Sequence, residues 1–442
     1  MEEYYYYEED GCDEEGEAWE AALESTYANA KAIMNTSPEE CAAGLHSVVR
    51  DDPIGGRWTF KALKMLTRLT LRTKAYEEML EYYKRVANFK HDDINNGALQ
   101  KAMAKFMDEA QRVPAGCLRR LLQITIEASS KNMRAFGKLW FNAKLKHATL
   151  SLESNNLDAV LEEMKPVLAW CKEEEQFSFK KSAQLFLSYA LLLEVYSKKN
   201  DFKRMRDTFL SAISIANTIP PSRVAGSVLE CGGKMYMHIR DWTSAFRSFS
   251  VAFRNYNESG DPRRMDCLKY LVLSCMLSGS TTDPFATHET KNFEDTEEIL
   301  PMAKLMKTFT DNDVQGFFHV VEQYQETFEA DPVINMNLDL VLEELRLQAL
   351  VAYVAPYERL YMKRLEDVLV TNSDEVMRLC VKAMMRGMLH ASLDAKEDVI
   401  IVRQKEQEVM GQESERLQAL RRWSAAILGL NEKAKKAIGR IV

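Results

Sequence analysis

Three polar breaks, about 40 to 45 residues apart, constrain the fold of this chain more than any other feature. They are SNNLDAV (154–160), KNDFKRM (199–205) and IRDWTSA (239–245), with weaker copies at RTKAY (72–76) and DNDVQGF (311–317). In the first three, Asn or Asp directly precedes an apolar or aromatic residue that opens a helical pattern, where these residues cap helices and tolerate turns. A period near 40 predicts a TPR-like helical solenoid, whose hairpins bury their apolar faces by stacking on their neighbours.

Little else in the sequence interrupts helices. Only 18 Gly and 11 Pro occur in 442 residues, whereas Leu, Ala, Met, Glu, Lys and Arg fill long stretches. No apolar run approaches the roughly 20 residues that span a bilayer, and the first residues lack the pattern of a signal peptide. We therefore expect an all-α protein of the cytoplasm or nucleus.

The pattern changes after about residue 355. A short helix, a second helix opened by Ser373, and two strands separated by the polar turn 394–398 predict a winged helix. The strands are expected within MLHASL (388–393) and at Val399, Ile400, Ile401 and Val402. We interpret the second as an edge strand that a neighbouring subunit could extend through backbone hydrogen bonds.

Residues 404–442 are expected to form one bundle helix. Its apolar positions step by three and four residues along a seam made of Leu420, Trp423, Ile427, Leu430, Ala434, Ala437 and Ile441. Such a seam must be covered, either by the rest of the chain or by other subunits.

Charge is distributed unevenly at the amino-terminal end. Residues 1–56 hold fifteen acids and two bases, a net charge of −13, whereas residues 57–146 hold nineteen bases and eight acids, a net charge of +11. The first twenty residues have no Lys or Arg and four consecutive tyrosines, a composition that predicts a disordered acidic tail. An acidic tail thus precedes a basic helical segment.

Within the basic segment, five cations follow helical spacing. We call them the basic stripe: Arg57, Lys61, Lys64, Arg68 and Arg72. Steps of three and four residues align them on one helix face. The stripe is either an ordinary solvated face or a binding surface for an acidic protein, a polyanionic small molecule or nucleic acid.

No catalytic constellation is found in the sequence. The seven histidines form no H-E-x-x-H motif, and no glycine-rich phosphate loop occurs. The eight cysteines include no C-x-x-C pair, so neither a zinc site nor a disulfide framework is expected. Gly232 and Gly233, in ECGGKMY, indicate close helix packing rather than ligand binding.

Several strings resemble subunit 2 of the COP9 signalosome, a family of PCI proteins. They are GRWTFKALK (56–64), LECGGKMY (229–236), NYNESGDPRRMDCLKYLVLSCML (255–277), DPF (283–285) and the winged-helix stretch through MLHASLD (388–394). The resemblance implies a solenoid over residues 21–240, a PCI domain over 241–403 with its winged helix from about 356, and a bundle helix after it. The acidic tail, residues 1–20, also fits.

The resemblance further implies a non-catalytic subunit. In this family the solenoid binds cullin–RING ubiquitin ligases, a sister subunit with a zinc isopeptidase removes the ubiquitin-like modifier, and other PCI subunits contact the winged helix. An inositol polyphosphate is linked to the basic surface, and Lys61, in the matching FKALK string, is the position carried over, with Lys64 second. No other cofactor and no membrane partner are implied.

Two other functions remain open at the level of sequence. One is a PCI subunit of the proteasome lid, although ECGGKM and ESGDPRR favour the signalosome. The other is a nucleic-acid-associated PCI protein of mRNA export. Residues 357–403 carry eight basic and eight acidic side chains, which disfavours DNA binding because a duplex binder needs a positive excess.

Overall fold

The computed structural model describes most of the chain up to the second strand of the predicted hairpin. The described residues are 14–52, 55–91, 94–110, 113–172, 181–215, 220–280, 283–394 and 399–402, with Leu420 and Trp423. Contacts within the chain divide it into two compact units, residues 1–220 and 221–442. This division lies ahead of the boundary at 240/241 expected from the sequence.

Unit 1 is helical throughout its described part. Its helices are α1 (Glu14–Ile33), α2 (Pro38–Asp51), α3 (Arg57–Thr73), α4 (Tyr76–Ala87), α5 (Asn96–Glu109), α6 (Ala115–Ser130), α7 (Met133–Glu153), α8 (Leu157–Lys172), α9 (Ser182–Lys199) and α10 (Phe202–Ser214). Helices that follow one another in the chain pack together, and one continuous apolar core runs from α1 to α7. This is the architecture of a solenoid.

Side-chain bonds between successive repeats have the predicted period. Arg68 bonds Glu109, Tyr83 bonds Thr125, and Arg120 bonds Glu77, over separations of 41, 42 and 43 residues. Lys131 to Asn88 and Lys146 to Asp108 span 43 and 38 residues. Because a partner one repeat away lies on the neighbouring hairpin, these bonds confirm the repeat near 40.

All five polar breaks read from the sequence form turns between helices. A residue in the left-handed region ends the preceding helix or begins the turn in each of them, at Lys74, Asn155, Asn200, Arg240 and Asn312. Where an Asp follows, its carboxylate accepts a hydrogen bond from the third backbone N–H after it, as in Asp201, Asp241 and Asp313.

Helix α1 begins earlier than the composition predicts. The composition predicts a disordered tail that includes residues 14–20, but these residues belong to this helix. Two side chains hold its first turns: the Trp19 indole donates to the Asp51 carbonyl at 3.1 Å, and the Glu20 carboxylate accepts from the Trp58 indole at 3.2 Å. These bonds to α2 and α3 offset the unfavourable charge of the segment. Residues 1–13 lie outside the described residues.

Unit 2 begins with helices and ends in a small sheet. Its elements are α11 (Ser222–Ile239), α12 (Trp242–Ser259), α13 (Arg264–Leu277), α14 (His288–Lys291), α15 (Leu300–Thr310), α16 (Val314–Gln323), α17 (Gln325–Ala330), α18 (Pro332–Val354), β1 (Arg359–Tyr361), α19 (Met362–Leu369), α20 (Ser373–Met385), β2 (Ala391–Asp394) and β3 (Val399–Val402). One apolar core runs from α11 to β3. The helix–helix–hairpin order confirms the predicted winged helix.

The edge-strand prediction for Val399–Val402 is wrong. Strand order in the antiparallel sheet is β1-β3-β2, so β3 is the central strand and is paired on both sides. Strand β1 is not predicted from the sequence, because its three residues, directly before α19, are too few to show strand alternation. The edges of the sheet are therefore β1 and β2.

Only two residues of the predicted C-terminal seam lie in the described part of the chain. Leu420 and Trp423 are helical, and they are 61% and 69% exposed. Ile427, Leu430, Ala434, Ala437 and Ile441 lie outside it. The seam stays a prediction.

Two glycines of α11, Gly226 and Gly233, allow α11 and α12 to approach closely, and Gly233 belongs to the ECGGKMY motif. A Cβ placed on Gly233 would lie 2.5 Å from the Phe249 ring, and one on Gly226 would lie 2.9 Å from Tyr256. Close packing, rather than a ligand, accounts for Gly233 in this motif.

We predict that Gly233→Ala destabilises the α11–α12 pair. The added methyl group overpacks a buried contact, at a cost of about 1–3 kcal/mol. Hydrogen exchange of the α11 and α12 amides should quicken accordingly. The matched control is Gly116→Ala in α6, where a Cβ would meet nothing within 4 Å. Equal exchange in wild type and Gly233→Ala would contradict the packing role.

Candidate functional site

Helix α3, which carries the basic stripe, is fixed at its start by a buried carboxylate. Asp52 accepts hydrogen bonds from the backbone N–H groups of Gly55, Gly56 and Thr59 at 3.0, 3.0 and 3.2 Å, and from the Thr59 hydroxyl at 2.6 Å. The bend that aims these donors needs Gly55 at a φ of 64°. The Asp52 carboxylate thus already occupies the anion-binding position at the N-terminus of α3. The remaining charged groups of this helix are the five cations of the basic stripe.

The rest of α3 is largely buried. Ten of its residues lie in the core of unit 1, among them Trp58, Phe60 and Leu66. Lys61, Lys64 and Arg68 are half-buried among these neighbours, whereas Arg57 and Arg72 at the two ends are exposed.

The structure separates the stripe into two halves. At the carboxyl end, Arg68 donates two hydrogen bonds to the Glu109 carboxylate, at 3.1 and 3.2 Å, and Arg72 donates to the Asn35 side-chain oxygen at 3.1 Å. These two arginines tie α3 to α5 and to the turn after α1. Part of their hydrogen-bonding capacity is already used within the fold.

The amino-terminal half has no such partners. Within the described residues, no carboxylate lies at ion-pair distance from Arg57, Lys61 or Lys64. The Lys61 ammonium instead lies 3.6 Å from the centre of the Trp58 ring, and that of Lys64 lies 5.8 Å from the centre of Phe60. The two ammonium groups thus lie near aromatic faces and not in direct contact with a carboxylate.

The surroundings of both lysines disfavour their charge. Burial lowers the pKa of Lys61 from its ordinary value, helped by Arg57 and opposed by Glu24 and Glu20. Burial also lowers the pKa of Lys64, and nearby Arg68 and Lys105 lower it further. Like charges held together in partly dry surroundings destabilise the folded chain, and an added anion would relieve that repulsion.

Other cations of the basic segment mainly connect repeats. Arg119 donates to Leu150 and Ser154 at the end of α7, while Arg120, Lys131 and Lys146 bond side chains of neighbouring hairpins. Charge counting alone could not separate these from the unpaired group. Lys105 of α5, whose charge acts on Lys64, is not predicted from the sequence as part of this site.

Helix α20 of the winged helix presents a second exposed surface. Met377 and Val381 are about two-fifths exposed, Met385 is 85% exposed, and Met388, three residues after the helix, is again about two-fifths exposed. Leu379, on the opposite side, is buried as core. The predicted strand interface, Val399–Val402, lies between two paired strands, and its first two residues are buried.

No group of three His, Cys, Asp or Glu side chains could hold a metal ion in the part of the chain that the structure describes. None of its helices is long and apolar enough to cross a membrane.

A helical solenoid and a winged helix on one chain define the class of PCI-domain proteins, and residues 321–404 match the PCI domain family. COP9 signalosome complex subunit 2 of Dictyostelium discoideum is 30% identical over 84% of this chain and 84% of its own length. The Drosophila melanogaster protein is 28% identical over 92% and 91%, and that of Caenorhabditis elegans 28% over 90% and 81%. The chain belongs to the COP9 signalosome subunit 2 family.

We predict that Lys64→Met stabilises unit 1 at neutral pH. Methionine keeps the apolar stem against Phe60 and removes a partly desolvated, repelled charge, so thermal unfolding should move up by about 1–2 °C. Because the pKa of Lys64 is lowered in the folded chain, the wild-type lysine is charged at pH 7 and loses its proton before the unfolded chain does, so the penalty on its charge fades as the pH rises toward the unfolded pKa near 10.5. The difference between the two proteins should therefore shrink from pH 7 to pH 10.5. A wild type more stable than Lys64→Met at pH 7 would contradict the electrostatics.

Proposed function

We propose that this chain is a non-catalytic scaffold and substrate-receptor subunit of the COP9 signalosome. In this proposal unit 1 binds cullin–RING ubiquitin ligases, so that the zinc isopeptidase of a sister subunit can remove the ubiquitin-like modifier from the cullin. Membership of the subunit 2 family supports the signalosome over the proteasome lid. The complex would work in the nucleus and cytoplasm.

One observation carries the assignment of the binding surface. Arg57, Lys61 and Lys64 form a half-buried to exposed cluster of three cations without carboxylate partners on a helix that is otherwise core. An ordinary solvated face would separate such charges or pair them, because repulsion between them costs stability. An anionic client removes this cost on binding and gains charge-assisted hydrogen bonds.

The same cluster suits an inositol polyphosphate as an interface ligand. Such a molecule carries several phosphate groups, and the flexible lysine side chains can each meet one of them. Lys61 is the first-choice contact, since it lies in the FKALK string, and Lys64 and Arg57 extend the site on either side. The ligand would then bridge this surface and the cullin–RING complex.

Assembly with sister PCI subunits is assigned to unit 2 and the C-terminal helix. The winged helix offers the exposed face of α20 and the edges β1 and β2, and Leu420 and Trp423 are exposed members of the seam. Large apolar side chains in such positions favour protein contacts.

Charge reversal at Lys61 and Lys64 tests the receptor surface. The variant K61E/K64E should weaken cullin–RING binding by about tenfold or more and make the remaining affinity less dependent on salt. Fluorescence anisotropy with a labelled cullin–RING complex would measure both quantities. K165E/K198E, in α8 and α9, changes the net charge equally at exposed lysines away from α3. Equal losses in both variants would reject the site.

Replacement of the exposed seam tests assembly separately. We expect L420D/W423D to block incorporation into a complex with sister PCI subunits while its far-UV circular dichroism matches that of the wild type. The charged side chains cannot be buried in a helical bundle. Size-exclusion chromatography after co-expression would report assembly. Normal incorporation would show that these two positions face solvent in the complex.

A further inference from the structure

Two lysines of neighbouring repeats are held close together in unit 1, although their charges repel each other. Elsewhere in the described part of this unit, cations that reach a neighbouring repeat meet carboxylates, as in Arg68–Glu109, Arg120–Glu77, Lys146–Asp108 and Lys199–Asp158. Lys64 of α3 and Lys105 of α5 depart from this pattern, because each places a positive charge beside the other.

The repeat period brings Lys64 and Lys105 side by side. Arg68 of α3 bonds Glu109 of α5, and these two residues are 41 positions apart. Lys64 and Lys105 have the same separation, and each lies one helical turn before a member of that pair. The charge of Lys105 accordingly contributes to the lowered pKa of Lys64. One turn of α3 and α5 thus carries an ion pair, and the turn before it carries two cations.

Lys101 extends the positive charge along α5. It lies one turn before Lys105 on the same face of the helix, and both side chains are exposed. Within the described residues, no carboxylate lies at ion-pair distance from either lysine. The two acids of α5, Asp108 and Glu109, already pair with cations of α7 and α3. The charge of Lys101 and Lys105 is therefore available to a partner.

Acids limit the basic surface on its other side, at α1. The Glu20 carboxylate accepts from the Trp58 indole at 3.2 Å, and the Lys61 ammonium lies 3.6 Å from the centre of the same ring. Glu20 and Glu24 both oppose the lowering of the Lys61 pKa. A negatively charged partner would be repelled on the α1 side, whereas Lys105 attracts it on the α5 side. The surface therefore extends from α3 toward α5.

The size of this surface suits a segment with several carboxylates. We call Lys61, Lys64, Lys101 and Lys105 the inter-repeat lysine cluster. The two lysines of each helix are about 5–6 Å apart along its axis, and packed helices lie about 10 Å apart. Four ammonium groups on flexible stems thus surround an area roughly 10 Å across, so that each can meet a separate acid.

We infer that the client-binding surface continues from α3 across the repeat boundary onto α5, where Lys101 and Lys105 bind carboxylates of an acidic segment of the client protein. This inference rests on the proposed function of the stripe. A polyphosphate at Arg57, Lys61 and Lys64 would fill the α3 side and leave α5 to the protein itself. Carboxylates placed beside Lys64 and Lys105 remove the repulsion between them and gain charge-assisted hydrogen bonds.

Carbodiimide cross-linking of the full chain with a cullin–RING complex tests the contact. The reagent joins a carboxylate to a lysine amine with loss of water, so links from client acids to Lys101 or Lys105 are expected. In the variant K101R/K105R these links should disappear while binding persists, because arginine keeps the charge without the reactive amine. Client links to other lysines, with none to Lys101 or Lys105, would overturn the inference.

Charge reversal on α5 tests the energetic contribution. K101E/K105E should weaken binding of a labelled cullin–RING complex by about tenfold and reduce its salt dependence, as measured by fluorescence anisotropy. K101R/K105R should bind within about twofold of wild type. The control K165E/K198E changes the net charge equally at exposed lysines of α8 and α9. Equal affinities of K101E/K105E and this control would contradict the inference.

Two further comparisons separate the possible failures. If K61E/K64E weakens client binding but K101E/K105E does not, the proposed function stands and the extension onto α5 fails. If K101E/K105E weakens it but K61E/K64E does not, the stripe fails and the α5 contact stands. Inositol hexakisphosphate, added to the free chain, identifies the anion: K101E/K105E should lose less affinity for this probe than for the client. An equal or larger loss would assign α5 to the polyphosphate and overturn the inference.

Discussion

Stacking between consecutive helical hairpins is the constraint on which unit 1 depends. A single hairpin cannot bury its apolar stripe, so each repeat must contact the next. The hydrogen bonds from Arg68, Arg120 and Lys146 to partners about 40 residues away hold that stacking in register. Because α3 packs against both α2 and α4, ten of its residues are buried. The stacking of the repeats therefore determines which face of α3 remains at the surface.

That constraint explains how a charge cluster can persist. Arg57, Lys61 and Lys64 cannot move away from one another, since their helix is held by core packing and by the Asp52 cap. Side chains that are destabilising in the free chain become favourable once an anion is bound. If the proposed client binds here, stability is exchanged for binding on this helix, in the manner common at functional sites.

Much of the fold could be predicted from local patterns. The Asn and Asp breaks located the turns, since left-handed residues and N-caps have strong sequence preferences, and Ser373 marked the start of α20. Strand β1 could not be predicted, because three residues with one buried side chain carry no periodic signal. The start of α1 could not be predicted, because its acidic composition is typical of a disordered segment. The two tryptophan hydrogen bonds that anchor this end depend on how α1 packs against α2 and α3.

The candidate site was predicted only in part. Helical spacing placed all five stripe residues on one face, but it could not separate the unpaired half from Arg68 and Arg72, whose partners lie 41 and 37 residues away. Lys105 was missed for the same reason, since its proximity to Lys64 depends on how α5 packs. Pairing between repeats is a property of the tertiary structure.

Lysine footprinting measures the central claim most directly. Amine-reactive labelling of the full chain, alone and bound to a cullin–RING complex, would report the accessibility of every lysine at once. The account predicts that Lys61 and Lys64 become protected in the complex, whereas Lys165 and Lys198 label as in the free chain. Unchanged labelling of Lys61 and Lys64, together with protection elsewhere, would show that the ligase binds a different surface.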